Sequence, residues 1–192
     1  MWGECVVGME RAKHPGLRVA TVKECIVSRL RDTARPNIER VIRFMEENEF
    51  FTLSGRGHHK YLGGLAEHTW QTFLIAIKMQ IDFQKSSMID QNRVCNIAIS
   101  TLLHELCYCT GMPHIKGHGS RTIRILDELD FGLTLDEYVA LRFHMRVRDD
   151  EHQNHPYYAI ARGSQFRKMI HKADILSAKI GKGSDYNFWD KK

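Results

Sequence analysis

The sequence predicts an all-α domain, a compact multi-helix bundle, and three observations carry that expectation. Apolar residues recur at three- and four-residue spacing in one segment after another, the period at which a helix face returns to a core. Runs with the two-residue alternation of a half-buried strand are nearly absent. Only four prolines occur in 192 residues, which leaves long stretches free to stay helical. Composition agrees: 43% hydrophobic and 27% charged residues are ordinary for a globular chain and exclude wholesale disorder. A chain of this length can bury a sizeable core as one domain, 1–192, with N-terminal helices over 1–43, a core over 44–180 and a tail over 181–192. At typical helix lengths of about 11 residues, roughly six to eight helices are expected.

The first helical stretch runs from Val19 to about Met45 and places Val22, Ile26, Leu30, Ile38, Val41, Ile42 and Met45 at helical spacing. Pro36 divides it in two, because proline lacks a donor and pushes Arg35 out of the helical region. Asn48 to Gly64 reads as a loop, punctuated by Gly55, Gly57, Gly63 and Gly64. The period returns at Leu65, with Thr72, Ile75, Ala76 and Met79 on one face, His68 within it, and Trp70 and Phe73 expected in the core. The next helix starts near Met88, capped by Ser86 or Ser87. It carries Val94, Ile97, Ala98, Thr101 and Leu102 on to His104 and Glu105, and Gly111 and Pro113 end it. After a loop from Met112 to Gly119, Ser120 opens another. Thr134 with Glu137 makes a capping box ahead of Val139, Leu141, Phe143 and His144. Ser164 begins the last helix, which carries Met169, Ile170, Ala173, Leu176 and Ile180, with Asp174 among them.

The charge balance is 28 Lys+Arg against 23 Asp+Glu, a net charge of +5 and a pI of about 9.0. Spread over the whole chain this is mild, and a solvated surface accounts for it as well as an anionic partner does. No apolar run approaches the roughly 20 residues that span a bilayer. The opening residues put Glu4 where a signal peptide wants basic side chains, so a cytoplasmic protein with no membrane partner is expected. Five cysteines, an odd number without a secreted framework, fit a reducing compartment. Eleven histidines are the first hint of metal chemistry.

The informative anomaly is polar. His68 occupies a core-facing position, His104 and Glu105 follow an apolar helix, and Asp174 sits beside Ala173 and Ile170. A buried carboxylate is costly unless it is paired or ligates a cation. Taken singly, each residue is better explained as a hydrogen-bonded core side chain, a cap or an ion-pair partner. Together, converging from separate helices of one bundle, they point to a metal site.

The string Gly57-His58-His59-Lys60-Tyr61-Leu62-Gly63-Gly64-Leu65-Ala66-Glu67-His68-Thr69 resembles the opening of HD-domain metal-dependent phosphohydrolases. In that family a His, often after Gly-Gly-Leu and an acidic residue, begins the first ligand helix. Leu102-Leu103-His104-Glu105-Leu106 is similar to the name-giving His-Asp pair, with Glu for Asp. Lys172-Ala173-Asp174-Ile175-Leu176-Ser177-Ala178 resembles the closing motif, an Ala-Asp ahead of Leu and a small residue. The resemblance spans about Phe44 to Lys179. It implies that His68, His104, Glu105 and Asp174 hold a first metal, and that His118 and His144 hold a second with Glu105 bridging. Imidazole and carboxylate donors together suit Fe, Mn, Zn, Co or Ni, as one or two divalent ions.

The chain departs from the family at two places. Glu105 adds one methylene, about 1.5 Å of reach, where an Asp is usual. Many catalytic relatives follow the pair with a Gly-Lys that meets phosphate, whereas here Leu106-Cys107-Tyr108-Cys109 follows. Lys116, Arg121 or Arg124 can then supply the positive charge. Cys107, three residues after His104, reads as a small buried hydrophobe rather than a soft ligand. His58 and His59 can reach the mouth of the site, but the glycines around them leave their direction open. His114 and His118 are four apart, yet Pro113 and Gly117 argue against a helix there. His152, His155 and His171 read as surface residues, and Arg142, Arg146 and Arg148 as a solvated run that pairs with Asp149, Asp150 and Glu151.

Two functions follow as expectations. The first is a phosphohydrolase or phosphodiesterase that uses a metal-activated water on a nucleotide or other small phosphate ester. In it Glu105, Lys116 and Arg121 act on the substrate. The second is a weakly catalytic or inactive module of the same type that binds a nucleotide, RNA or a protein. A processive nuclease is disfavoured, because such HD exoribonucleases carry an additional barrel that this chain has no strand signal for. Nucleic acid is therefore an unlikely partner, and a homo-oligomer is left open.

Overall fold

Pro36 does divide the N-terminal segment. In the computed structural model, which describes residues 15–85, 89–111, 117–145 and 154–182, the chain forms α1 (Pro15–Arg31) and then α2 (Ile38–Glu47). The spacing read from the sequence is the spacing that is buried: Val22, Ile26 and Leu30 on α1, and Ile38, Val41, Ile42 and Met45 on α2. Each such side chain, taken out of water, stabilises the fold by about 1.5–3 kcal/mol before entropy is counted.

The helices that follow are α3 (Gly64–Gln84), α4 (Gln91–Leu102), a 3-10 helix (Leu106–Thr110), α5 (His118–Glu128), α6 (Leu135–Phe143), α7 (Tyr158–Gly163) and α8 (Gln165–Ile180). No strand occurs among the described residues, and the all-α class holds. α3 is the central element, packed against α1, α4 and α8. That position explains why its first half is buried on nearly every face rather than on one stripe. Trp70 and Phe73 stack on each other in its core, as expected.

Several boundaries differ from the sequence expectation, each for a local reason. α4 is capped by Asp90, whose side chain accepts from the Arg93 amide at 3.1 Å; Ser86, Ser87 and Met88 lie outside the described residues. The same helix stops at Leu102, so His104 and Glu105 stand in the turn beyond it, and Cys107 belongs to the 3-10 helix rather than to a shared helical face. Cys107 is buried among apolar side chains. α5 starts at His118, two residues before Ser120, because Gly117 takes the left-handed backbone (φ 87°) that turns the chain into the helix.

Two contacts set the site's frame. A Cβ on Gly119 would overlap the carbonyls of Leu141 and Arg142, so glycine lets the start of α5 sit directly on the end of α6. Arg167 on α8 donates to the carbonyls of Ala161 (3.0 Å) and Phe143 (3.3 Å), which anchors the residue just before His144. The capping box on α6 is present, with Thr134 and Glu137 bonding each other's backbone amides. Glu137 also takes an ion pair from Arg35 at 2.7 Å, tying the α1–α2 turn to α6. No helix among the described residues is long and apolar enough to cross a membrane.

Candidate metal centre

Six of the residues named from the sequence meet in one place. His68 comes from the second turn of α3, His104 and Glu105 from the turn after α4, His118 from the start of α5, His144 from the end of α6 and Asp174 from the middle of α8. All six are buried. Their potential ligand atoms form two groups, each with every atom within 4.8 Å of the others: His68, His104, Glu105 and Asp174, and then Glu105, His118 and His144. Glu105 belongs to both.

The hydrogen bonds decide which nitrogen each ring offers. His104 Nδ1 lies 2.7 Å from the Thr101 carbonyl and His144 Nδ1 2.8 Å from the Leu141 carbonyl. A carbonyl only accepts, so both Nδ1 atoms carry a proton and both Nε2 atoms face the cluster. His68 Nδ1 is 2.9 Å from Ser177 Oγ, whose hydroxyl donates to the His68 carbonyl at 3.1 Å, so here too Nδ1 is the donor. Outer partners of this kind hold a ligand ring in one tautomer and orientation.

What converges is then a set of acceptors. His68 Nε2 is 3.2 Å from Asp174 Oδ1 and 3.3 Å from His104 Nε2; His104 Nε2 is 3.6 Å from Glu105 Oε1 and 3.7 Å from Asp174 Oδ1. Ligand atoms about 2.1 Å from a shared ion stand roughly 3.0–3.4 Å apart at octahedral to tetrahedral angles. The tightest of these spacings fall in that range. Glu105 Oε2 is buried with no hydrogen-bond partner, a cost of about 1–3 kcal/mol that a cation would remove. The donor set therefore fits a metal ion.

Electrostatics says how the cluster holds together without one. Burial pushes His68 down to about 4, against the opposing pull of the Asp174 carboxylate beside it, so the ring is neutral. Burial, with His118 and His104 nearby, also holds His144 well below its ordinary value. Burial acts on His104 in the same direction, but the Asp174 carboxylate 3.7 Å away and the charge of Glu105 outweigh it and raise the ring to about 9. Asp174 is buried too, and the charge of His104, with the His68 ring beside it, nevertheless keeps it well below the carboxylate range. Burial lifts Glu105 to about 8 against the pull of His104. A proton on His104 thus stands where a cation would.

The cluster opens into a cavity of about 290 Å3 lined by Glu105, His68, Asp174, His58, Arg56 and Tyr108, among others. Among the described residues that line it, Arg56 is the one lysine or arginine, and its guanidinium lies 5.2 Å from the Tyr108 ring centre. Burial raises the Tyr108 hydroxyl well above its ordinary value, so it stays a proton donor. Arg121, half-buried on α5, does not line the cavity, and exposed Arg124 pairs with Glu128 at 3.0 Å. Lys116, His114, Arg146, Arg148, Asp149, Asp150, Glu151 and His152 lie outside the described residues.

His171 and His155 are half-buried rather than surface residues: His171 lines the cavity, and His155 packs on Phe143 and Tyr138. Sequence reasoning also passed over Arg56, Tyr108 and Ser177 as site residues. Ser177 had a signal, since it lies one turn after Asp174; Arg56 had none, because the Gly-Arg-Gly loop leaves its direction free. No protein-family model matches the chain, and searches of curated proteins and of solved structures return no significant match.

Proposed function

We propose that the protein is a metal-dependent phosphohydrolase or phosphodiesterase of the HD type, acting on a nucleotide or other small phosphate ester. One observation supports this most: Glu105, the carboxylate shared by both ligand groups, lines a cavity that also presents a guanidinium. A first divalent transition ion would be held by His68, His104, Glu105 and Asp174, and a second by His118, His144 and Glu105. The chemistry such ions supply when bound is polarisation of a phosphate oxygen and a hydroxide available near neutral pH.

The chain's own residues do the rest. Glu105 stands beyond the end of α4, in a turn whose backbone (φ −102°, ψ 14°) carries it past the helix. The longer side chain thereby still reaches both groups where an Asp is usual. Arg56 neutralises phosphate charge from the cavity wall, in the role that Lys116 and Arg121 were expected to fill. Tyr108 holds the guanidinium by its ring face and keeps its own O–H as a donor. A cavity of about 290 Å3 suits a small ester rather than a polymer strand.

The second function, a binding module with little or no turnover, is favoured by a different observation. His118 Nε2 and His144 Nε2 stand 2.7 Å apart and satisfy each other directly as a hydrogen-bonded pair. A screen of phosphomonoesters, phosphodiesters and nucleotides with the Mn-, Fe-, Co- and Zn-loaded protein separates the two. Turnover that disappears in Glu105→Gln supports the hydrolase. No turnover with any loaded metal leaves the binding module.

A further inference from the structure

The loop ahead of α3 brings a second pair of histidines to the cluster. His58, His59 and His68 form a third group whose potential ligand atoms all lie within 4.8 Å of one another, and His58 lines the cavity. His58 and His68 rings are 4.5 Å apart between centres.

A chain of hydrogen bonds fixes how His58 is presented. Gln71 Nε2 donates to Glu67 Oε1 at 3.0 Å, and because a carboxylate only accepts, the amide oxygen must face the other way. That oxygen is 3.0 Å from His59 Nε2, which therefore carries a proton. His59 is fully buried, and with Nε2 donating to Gln71 its Nδ1 is the nitrogen that can accept. His58 Nδ1, 2.9 Å away, donates to it. The nitrogen of His58 left to offer a lone pair is Nε2.

The loop is built to hold this arrangement. His59 takes a left-handed backbone (φ 50°) that a residue with a Cβ adopts only under constraint. Its carbonyl accepts from the Gly55 and Tyr61 amides, and its amide donates to the Gly181 carbonyl at 3.3 Å. A Cβ on Gly64 would overlap the His59 backbone, and one on Gly181 would overlap its ring.

We propose that His58 is a further metal ligand of this centre, offered through Nε2 to the ion at His68 by a tautomer-fixing chain of Glu67, Gln71 and His59. The inference rests on the cluster binding a metal, and it adds a ligand that the six sequence-derived residues do not include. His59 and Gln71 act through His58 and are positioning residues.

Co(II) titration, followed by visible absorption and calorimetry, tests this on the full chain without any substrate. The wild type is compared with His58→Ala, Gln71→Leu, the double variant, and Ile175→Ala as a cavity-wall control. Expected are a loss of about 100-fold in Co(II) affinity with a changed absorption band for His58→Ala, and of about 10-fold for Gln71→Leu. The double variant should lose no more than His58→Ala alone, because Gln71 acts only through His58, and Ile175→Ala should bind as the wild type does.

Wild-type affinity and spectrum in His58→Ala would overturn the inference while leaving the metal centre intact. So would an additive loss in the double variant, which would trace the Gln71 effect to its contact with Ser177 instead. Should His58→Ala fail to fold, Gln71→Leu decides alone: an unchanged Co(II) spectrum overturns the assignment. No Co(II) uptake by the wild type overturns it together with the proposed function, and that arm alone reports on both.

Discussion

The two halves of the candidate metal centre differ in how their potential ligands stand. In the half made by His68, His104 and Asp174, the nearest ligand atoms are 3.2–3.3 Å apart. Each comes from or just beyond a long helix of the central core, and Ser177 and Thr101 lock the two rings. In the half made by His118 and His144, the two Nε2 atoms close to 2.7 Å and satisfy each other, at the first residue of one helix and the end of another. The first half is spaced for an ion and must be given one, or a proton, to offset its acceptors. The second is stable as a hydrogen bond and must open to coordinate. Two sites that share a carboxylate therefore need not fill together: the first should load at lower metal concentration.

The largest expected effect comes from His104→Ala. It removes the ring whose Nε2 lies 3.6 Å from Glu105 and 3.7 Å from Asp174, so metal content should fall to near zero by elemental analysis and any hydrolysis should vanish. Without metal, the buried Asp174 carboxylate also loses its compensating proton, and urea unfolding should show a loss of about 3–5 kcal/mol. His144→Ala sharpens the comparison. It should remove one equivalent of metal and leave the affinity of the other within a few fold; if both equivalents are lost, the halves are not separable. Glu105→Asp withdraws the shared carboxylate by about 1.5 Å from a turn shaped for the longer side chain. Second-site affinity should drop by about 10–100-fold with the first held. A gain in turnover instead would mark Glu105 as the detuned member.

Acidity should act unevenly as well. His104 at about 9 and Glu105 at about 8 both hold protons at pH 7, and both raised values mean that a cation competes with protons for these atoms. First-site affinity should therefore weaken as pH falls, by up to about 100-fold per unit below pH 8, and level off above about 9. His144 is held neutral, so its half displaces only the proton of the shared Glu105 and should show a shallower slope, about 10-fold per unit. Metal titrations in weakly chelating buffers from pH 6 to 9 read the difference. The smallest expected effect is that of Arg56→Ala, which should raise KM for a phosphate ester several-fold while metal content stays unchanged.

How far the sequence reached follows the same division. Periodicity placed α1, α2 and α3 because their apolar spacing is the buried spacing, and Ser164 and the Thr134–Glu137 box marked two helix starts through short-range capping chemistry. His68 and Asp174 stood out as polar residues inside apolar helix faces. The end of α4 was missed, since no proline or glycine marks the turn at Leu103. Arg56 was illegible, and the direction of His58, read only as able to reach the mouth of the site, was left open, for a related reason. They sit on a glycine-bearing loop, where direction is set by contacts with α3 and the start of the tail rather than by any local period.

Metal content of the untagged protein, purified without chelator and reconstituted with Mn, Fe and Zn, tests the central claim most directly. One equivalent retained through gel filtration, with a second that appears only at higher metal concentration, is the expected result. No bound metal under any of these conditions would contradict it.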